Sequence, residues 1–300
     1  MHEPEKVTAR GLTNLFIVYL VWGSTYLAIR VAVRPGAGVP PFTLGFGRTL
    51  VAGALLLIWG FLRKGAVRPT RRELAVFAGS GLLLWTGANG MVAWAEQRID
   101  SSFAAVLIAT TPLWTVAIES IMDRRKPPAK VWVALLVGFA GTVVLSAPKL
   151  RADNSGDFLS IFVLILAPLT WALGTLLQRR NPSQLPARVS AGYQLIFAAM
   201  GFAVLMLLAG EGMPRPTPEA LLAWVYLIVF GSIFAFTAFV SMVRELPTSL
   251  AMTYAYVNPV IAVFLGAWLL SEALTIPTLI GSGLVLLGVV GVFKGRSPGS

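Results

Sequence analysis

The residues that could do chemistry in this sequence are few, and they lie inside long apolar runs. Two pairs place an aromatic residue and an asparagine four positions apart, Trp85 with Asn89 and Tyr254 with Asn258. Residues four apart lie on one face of a helix. An asparagine deep in lipid is costly unless it faces the inside of a helix bundle or a cavity. The pairs therefore predict either a cavity that binds a small molecule or hydrogen bonds between helices.

Two prolines stand among these polar residues. Pro259 lacks the amide that would bond the carbonyl of Ala255, and Pro112 lacks the one that would bond the carbonyl of Ile108. Freed carbonyls need another partner, such as a side chain, a water molecule or a ligand amine. We predict helix breaks at Pro112 and Pro259, which either line a cavity or form packed kinks.

The remaining candidates for substrate binding are polar or aromatic residues deep in the runs. Trp22 in the first run and Trp171 in the sixth lie at the same depth, and they complete a predicted central ring. The alternative for each aromatic residue is lipid contact or a place in an interfacial belt. The predicted cavity residues are Trp22, Ser24, Trp85, Asn89, Trp94, Thr110, Trp171, Tyr193, Tyr254 and Asn258, with Thr25 and Thr170 beside them.

Residues for several other kinds of chemistry are missing from the sequence. It has no cysteine, and its one histidine, His2, lies in a polar tail. Disulfides, His/Cys metal sites and a His-based catalytic triad are thereby excluded. We therefore predict no metal, no cofactor and no catalytic residues, and we expect a protein that is not an enzyme.

The charged residues of the runs lie towards the run ends. Glu96, Glu119 and Glu245 end runs, while Arg30 and Arg48 lie close enough to an end to snorkel to the interface. Paired charges at the midplane would signal ion coupling. Their absence predicts facilitated movement of a neutral or zwitterionic substrate, with proton-coupled export as the alternative. A phosphorylated substrate would require several basic residues deep in the runs, and these are missing from the sequence.

Membrane helices must position these residues. Hydrophobic residues make up 56% of the chain and charged residues 12%, with a mean hydropathy of +0.77, whereas soluble domains carry about 25% charged residues. Runs of about 20 apolar residues can cross the bilayer as helices, and these runs do not alternate as barrel strands do. We predict an all-α integral membrane protein with ten transmembrane helices. The runs are Leu12–Val33, Phe42–Leu62, Leu74–Trp94, Ser102–Met122, Val131–Ala147, Phe158–Leu177, Val189–Leu208, Ala220–Val243, Leu250–Leu270 and Thr278–Phe293.

The basic residues orient the predicted helices. The net charge is +11, and most Lys and Arg outside the runs fall on one set of helix ends. Since cytoplasmic loops collect Lys and Arg, both termini are predicted to be cytoplasmic in a bacterial-type inner (plasma) membrane. This explanation of the charge is favoured over nucleic-acid binding. The first run has no A-x-A-like cleavage site, so we expect it to be retained as a span.

The ten runs divide into two copies of a five-helix unit. One gapless offset pairs Pro112 with Pro259 and Gly141 with Gly288. Because five is odd, the tandem copies must be inverted relative to each other, an arrangement typical of transporters with a midplane site. The predicted parts are a tail 1–11, a first repeat 12–147, an extracytoplasmic linker 148–157, a second repeat 158–294 and a tail 295–300.

The chain resembles the drug/metabolite transporter superfamily, specifically its EamA-domain type. The resemblance is carried by VWGSTYLAIR in the first run, the A-x₇-P helices Ala104–Pro112 and Ala251–Pro259, and LLSEALT after the ninth run. In that family a glutamate usually ends this helix in both halves, but here only Glu272 does, and the first copy has DRRKPP.

The resemblance implies a ten-helix fold that moves small organic metabolites by alternating access through a cavity between the repeats. The chain is also similar to the YddG-like branch, which exports aromatic and other neutral amino acids. Such export is the expected function, with a lipid flippase or scramblase as an alternative. The expected partners are a small-molecule substrate and the lipid bilayer, not nucleic acid, and the expected state is a monomer.

Overall fold

The computed structural model describes residues 7–63, 68–98, 101–124, 126–150, 158–270 and 275–294. Within these ranges the regular structure is helical, without a strand. Glu272, Arg125 and most of the predicted linker lie outside the described residues. The helices are α1 (Ala9–Val33), α2 (Pro41–Leu62), α3 (Arg71–Ala95), α4 (Ser101–Ile108), α5 (Thr111–Asp123), α6 (Ala129–Leu150), α7 (Phe158–Arg180), α8 (Ala187–Leu208), α9 (Pro218–Glu245), α10 (Thr248–Ala251), α11 (Tyr254–Leu270) and α12 (Ile276–Lys294).

These helices account for the ten predicted spans. In the described chain, eight helical stretches are long and apolar enough to cross a membrane, and α6 contributes a shorter apolar stretch. The fourth span consists of α4 and α5, and the ninth consists of α10 and the 17-residue α11. Large apolar side chains on the outside, such as Leu62 and Leu208, are 76% and 80% exposed, as expected of a surface that faces lipid.

Capping residues fix where several helices begin. The Thr8 hydroxyl accepts a hydrogen bond from the amide of Gly11 at the start of α1. Thr70 and Glu73 form a reciprocal capping box at the start of α3. Each cap satisfies amides that the first helical turn leaves without a partner. The cap of α3 therefore fixes the start of the helix that carries Trp85 and Asn89.

The two halves of the chain pack through corresponding helices. α6 lies along α12, α2 along α8, α1 against α9, and α3 against α7. Glycines allow the closest of these approaches. A Cβ atom added at Gly141 would lie 2.6 Å from the amide nitrogen of Val285, and one added at Gly288 would lie 2.5 Å from that of Gly138. Small residues at a helix interface let two backbones approach closely in a membrane.

Both α3 and α9, the third helices of the two halves, contain an eight-residue π-helical segment, at Leu82–Asn89 and Leu227–Phe234. Such turns are rare and occur frequently at functional sites. The first segment carries Trp85 and Asn89. The second supplies partners to other helices, because the Gly231 carbonyl accepts a hydrogen bond from Trp22.

The two prolines differ in their effect on the helices. The break between α4 and α5 directly precedes Pro112, as predicted, and the Thr111 hydroxyl bonds the Ile108 carbonyl at 2.6 Å. The predicted break at Pro259 is wrong, because Pro259 lies inside α11 and the break falls at residues 252–253. One proline removes one amide donor, and packing within a bundle can keep such a helix continuous.

Candidate functional site

A cavity lies between helices from both halves of the chain. Its walls come from α1, α2, α3, α4 and α5 of the first half and from α7 and α11 of the second. Its volume is about 60 Å³, enough for a few water molecules. Pockets that hold small molecules measure about 300–1,000 Å³. The structure therefore shows this cavity contracted, and a ligand would have to widen it.

Aromatic rings form one wall of the cavity. The ring of Trp22 lies 5.4 Å from that of Trp171 and 5.2 Å from that of Tyr254, both edge-on, measured between centroids. Phe239 packs behind them, 5.1 Å from Trp22. The edge-on geometry is one that aromatic pairs prefer. The indole N–H of Trp22 donates to the Gly231 carbonyl at 3.1 Å, which fixes the ring against α9.

Arg48 lies in the cavity wall. This position contradicts the sequence-based prediction. It was expected to snorkel, but it is only 5% exposed. Its Nε donates to the Ser232 hydroxyl at 2.7 Å, and its guanidinium carbon lies 4.6 Å from the ring centroid of Trp85. The prediction was wrong because packing against α3 and α9 turns this face of α2 inward. Its position two turns inside an apolar run was the signal that could have identified it.

The Arg48 guanidinium has no acidic partner among the described residues. Its recorded contacts there are Ser232 and the Trp85 ring. A buried cation without a counter-ion is costly. Arg48 is therefore available to pair with an anionic group that enters the cavity.

Three further buried polar atoms in the cavity wall lack a hydrogen-bond partner within the described ranges. They are the indole nitrogens of Trp85 and Trp171 and the amide oxygen of Asn258. The Tyr254 hydroxyl lies near the Trp171 nitrogen, but not in hydrogen-bonding geometry. Unsatisfied buried polar groups are uncommon in folded proteins. The two indole N–H groups and the Arg48 guanidinium are hydrogen-bond donors, and the Asn258 amide oxygen is an acceptor.

Six of the ten candidate residues line this cavity. They are Trp22, Trp85, Asn89, Trp171, Tyr254 and Asn258, and Thr25 also lines it. The Asn89 amide nitrogen bonds the Leu84 carbonyl of its own helix at 3.3 Å. Their roles in binding remain predictions.

The other four candidates do not line this cavity, because each makes contacts elsewhere. Ser24 shares a hydrogen bond with the Tyr226 hydroxyl at 2.5 Å, and Thr110 bonds the Leu107 carbonyl at 2.7 Å. Trp94 lies under the Arg98 guanidinium at 4.4 Å, at a separate cleft of about 570 Å³ near the end of α3. Tyr193 stacks on Phe77 at 5.9 Å between centroids. Sequence depth alone did not reveal which way these side chains turn.

Polar contacts close the end of the bundle at which α1 begins. Arg179 donates to the carbonyl of Val243 at 2.8 Å and to that of Leu246 at 2.5 Å, which joins α7 to the end of α9. Its guanidinium lies 3.8 Å from the carboxylate of Glu119, which accepts a 2.7 Å hydrogen bond from Thr248. We call the contacts among these five residues the Arg179 seal.

Glu96 lies at the opposite end of the bundle and is fully buried. Neither oxygen of its carboxyl group has a hydrogen-bond partner in the described part of the chain. The nearby Arg30 donates to the main-chain carbonyl of Glu96 at 2.5 Å. The sequence placed Glu96 correctly at the end of a run, but did not reveal its burial. The prediction of facilitated movement rested on the absence of paired charges at the midplane and stays a prediction; Glu96 lies at a helix end.

Comparisons with known proteins identify relatives along the whole chain. A family model described as the EamA-like transporter family matches residues 9–147 and again residues 158–294. The uncharacterized inner membrane transporter YedA of Escherichia coli (strain K12) is 35% identical over 94% of this chain and 90% of its own length. The uncharacterized transporter YoaV of Bacillus subtilis (strain 168) is 22% identical over 93% and 94%.

A solved crystal structure also matches nearly the whole chain. It covers 95% of this chain and 96% of its own, with a TM-score of 0.79 and 23% sequence identity. A likeness at that identity supports the fold alone. The family model thus identifies a domain that occurs twice in this chain, and the solved structure shows the same overall fold.

Proposed function

Because this chain belongs to the EamA-like transporter family, we propose that it exports small organic metabolites, specifically aromatic and other neutral amino acids. Transport proceeds by alternating access through the cavity between the two halves. The curated relatives named as inner membrane transporters support a place in the inner membrane. The lysine and arginine bias supports cytoplasmic termini, and the similarity to the YddG-like branch supports export.

Arg48 is the observation that carries the proposed substrate class. It is a buried guanidinium in the cavity wall without an acidic partner in the described chain. A carboxylate can accept two parallel hydrogen bonds from a guanidinium, and such pairs are strong. Arg48 is the only Lys or Arg among the cavity-lining residues. One cation suits a single carboxylate better than a phosphate with two negative charges.

The rest of the cavity wall suits the other parts of an amino acid. The free amide oxygen of Asn258 is an acceptor for an ammonium group. The edges and faces of Trp22, Trp171 and Tyr254 suit an apolar or aromatic side chain, and ring faces also attract an ammonium. The cavity therefore suits an amino-acid zwitterion, whose carboxylate can bind Arg48 and whose ammonium group can bind Asn258.

A substrate panel in reconstituted liposomes tests the proposed function. Purified protein should take up tryptophan and discriminate against tryptamine, which lacks the carboxylate. Arg48→Gln should lower tryptophan uptake about tenfold or more, because a hydrogen bond to a charged group contributes about 1.5–3 kcal/mol. Folded yield should change little, because the cost of burying an unpaired charge is removed and offsets the loss of the Ser232 hydrogen bond and the Trp85 contact.

Arg98→Gln is the matched control, because Arg98 is exposed and stacks on Trp94 outside the central cavity. It should transport tryptophan at the wild-type rate. Equal uptake of tryptamine and tryptophan, or full tryptophan uptake by Arg48→Gln, would contradict the proposal. Scrambling of a fluorescent lipid in the same vesicles without tryptophan uptake would favour a lipid flippase instead.

A further inference from the structure

Glu96 is a buried acid that the proposed substrate site does not use. It is 0% exposed, and both carboxyl oxygens lack a hydrogen-bond partner among the residues that the structure describes. It follows the last residue of α3, where the helix dipole presents its negative end. Burial and the dipole both disfavour a negative charge at this position. The opposing influence is the positive charge of Arg30.

The second half of the chain holds a corresponding glutamate with the opposite surroundings. Glu245 ends α9 as Glu96 follows α3, and Arg179 donates to the end of α9 as Arg30 donates to the end of α3. Glu245 accepts hydrogen bonds from Thr8 at 2.9 Å and from Ser241 at 2.8 Å. The carboxyl group of Glu245 thus has hydrogen-bond donors around it, and that of Glu96 has none among the described residues.

Glu96 is connected to the central cavity through α1 and α3. Val92, one turn earlier on α3, lines the cavity. Ile29, which directly precedes Arg30 on α1, lines the cavity as well. Glu96 therefore lies about one helical turn, roughly 6 Å, from the cavity wall, so a charge on Glu96 and a ligand in the cavity can act on each other.

Few other ionisable groups face Glu96 from the neighbouring helices. α1 contributes Arg30 and Tyr26, and Arg48 is the only ionisable residue on α2. α7 has none between residues 158 and 177, and the π-helical segment of α3 has none. Glu96 lies one residue beyond the span, and burial raises the pKa of its carboxyl group to about 8, with Arg30 acting in the opposite direction.

We propose that Glu96 is a proton-binding site and that this chain exchanges protons for its substrate. The carboxylate attracts the ammonium group of a bound substrate. When a proton from water outside the cell forms an O–H bond with Glu96, that attraction is lost and the substrate leaves. When the cavity opens to the cytoplasm, the proton leaves to water and the next substrate binds. The step involves no redox change, and it rests on the proposed function.

Accumulation in proteoliposomes tests the exchange. The membrane potential is clamped with potassium and valinomycin, so that only the pH gradient drives transport. Vesicles with a lumen one pH unit more acidic than the medium should accumulate tryptophan about tenfold at one proton per substrate. Glu96→Gln should exchange labelled for unlabelled tryptophan across the membrane but show no accumulation. Glu245→Gln, the matched variant in the second half, should still accumulate.

Three results would overturn the proton site. They are tryptophan equilibration without accumulation by the wild type, accumulation driven only by an alkaline lumen, and full accumulation by Glu96→Gln. In each of these, tryptophan is still transported, so the proposed function survives. The absence of any tryptophan flux in the wild type would instead overturn the proposed function.

The wild-type protein alone provides a second test, which does not depend on how well a variant folds. Tryptophan added to the protein in weakly buffered detergent solution should release protons on binding, detected with a pH-sensitive dye. The release should disappear at a pH well above the titration of Glu96. Binding of tryptophan without proton release at any pH would contradict the proposal.

Discussion

The tryptophans Trp22 and Trp171 occupy corresponding positions in the two halves, yet their indole nitrogens differ. The nitrogen of Trp22 donates to the Gly231 carbonyl, whereas that of Trp171 is buried without a partner. A donor that stabilises the fold and a donor kept free for a ligand should respond differently to replacement. Substitution by phenylalanine keeps a ring in each place and removes only the N–H and part of the ring.

We expect Trp22→Phe to lower thermal stability more than Trp171→Phe. Loss of the first N–H removes a hydrogen bond to the Gly231 carbonyl, which contributes about 0.5–1.5 kcal/mol, whereas the second N–H has no hydrogen-bond partner among the described residues. Trp171→Phe should nevertheless raise the KM for tryptophan, if its nitrogen bonds the substrate. Unfolding in detergent, followed by a dye or by circular dichroism, measures the first quantity, and proteoliposome uptake the second.

An outcome in which the two variants lose stability equally and transport tryptophan equally would make both tryptophans packing residues. Alanine variants of Trp22, Trp171 or Tyr254 are less informative. Each removes a ring from the same aromatic cluster, and a buried aromatic changed to alanine costs about 3–5 kcal/mol in soluble proteins. A loss of flux would then be difficult to separate from a loss of folded protein.

Among the helices, α6 and α12 approach each other closely through glycines. A Cβ atom at Gly288 would lie 2.5 Å from the backbone nitrogen of Gly138, while one at Gly283, on the same helix, would meet nothing within 4 Å. We expect Gly288→Ala to separate the helices and to destabilise the protein by about 1–3 kcal/mol. Gly283→Ala should match or exceed wild-type stability, because alanine favours helix more than glycine does.

Thermal unfolding of the two glycine variants, measured side by side in one detergent, checks this expectation. The comparison cancels effects of the detergent and of alanine's helix propensity. If Gly288→Ala unfolded at the wild-type temperature, the close contact of α6 and α12 would not exist in the folded protein.

The apolar runs predicted which segments form helices, because a span needs about 20 apolar residues whatever its neighbours are. The direction in which each side chain turns was less predictable. Arg48 and Glu96 both lie near run ends, where snorkelling is the ordinary outcome, yet packing by other helices buries them. Continuity of α11 through Pro259 and the π-helical segments likewise depend on neighbours that are distant in sequence. Six of the ten cavity candidates still lie together, because depth and polarity are local properties.

Across the whole molecule, the two halves share a plan but differ in their charged residues. Tryptophans, π-helical segments and arginines that donate to helix ends recur in both halves. Glu96 and Glu245 correspond but differ in their donors. Repetition accounts for a site between the halves that two conformations can share.

The Arg179 seal offers a test of alternating access in the whole molecule. Arg179→Gln removes an ion pair with Glu119 and charged hydrogen bonds to the Val243 and Leu246 carbonyls. Each such bond contributes about 1.5–3 kcal/mol, so conformations open at this end should become about tenfold or more populated. A cysteine introduced at Ala88, in the cavity wall, reports the opening, and the native chain has no cysteine to interfere.

In the proposed orientation, with both termini cytoplasmic, the seal lies on the cytoplasmic side. In inside-out membrane vesicles this side faces the external medium. A membrane-impermeant maleimide added to such vesicles should therefore label Ala88→Cys faster when Arg179 is replaced. Arg180→Gln is the matched control, since Arg180 pairs with Asp123 near the surface and away from the carbonyls of α9. Unchanged labelling in Arg179→Gln, or equal acceleration in Arg180→Gln, would show that the seal does not hold this end closed.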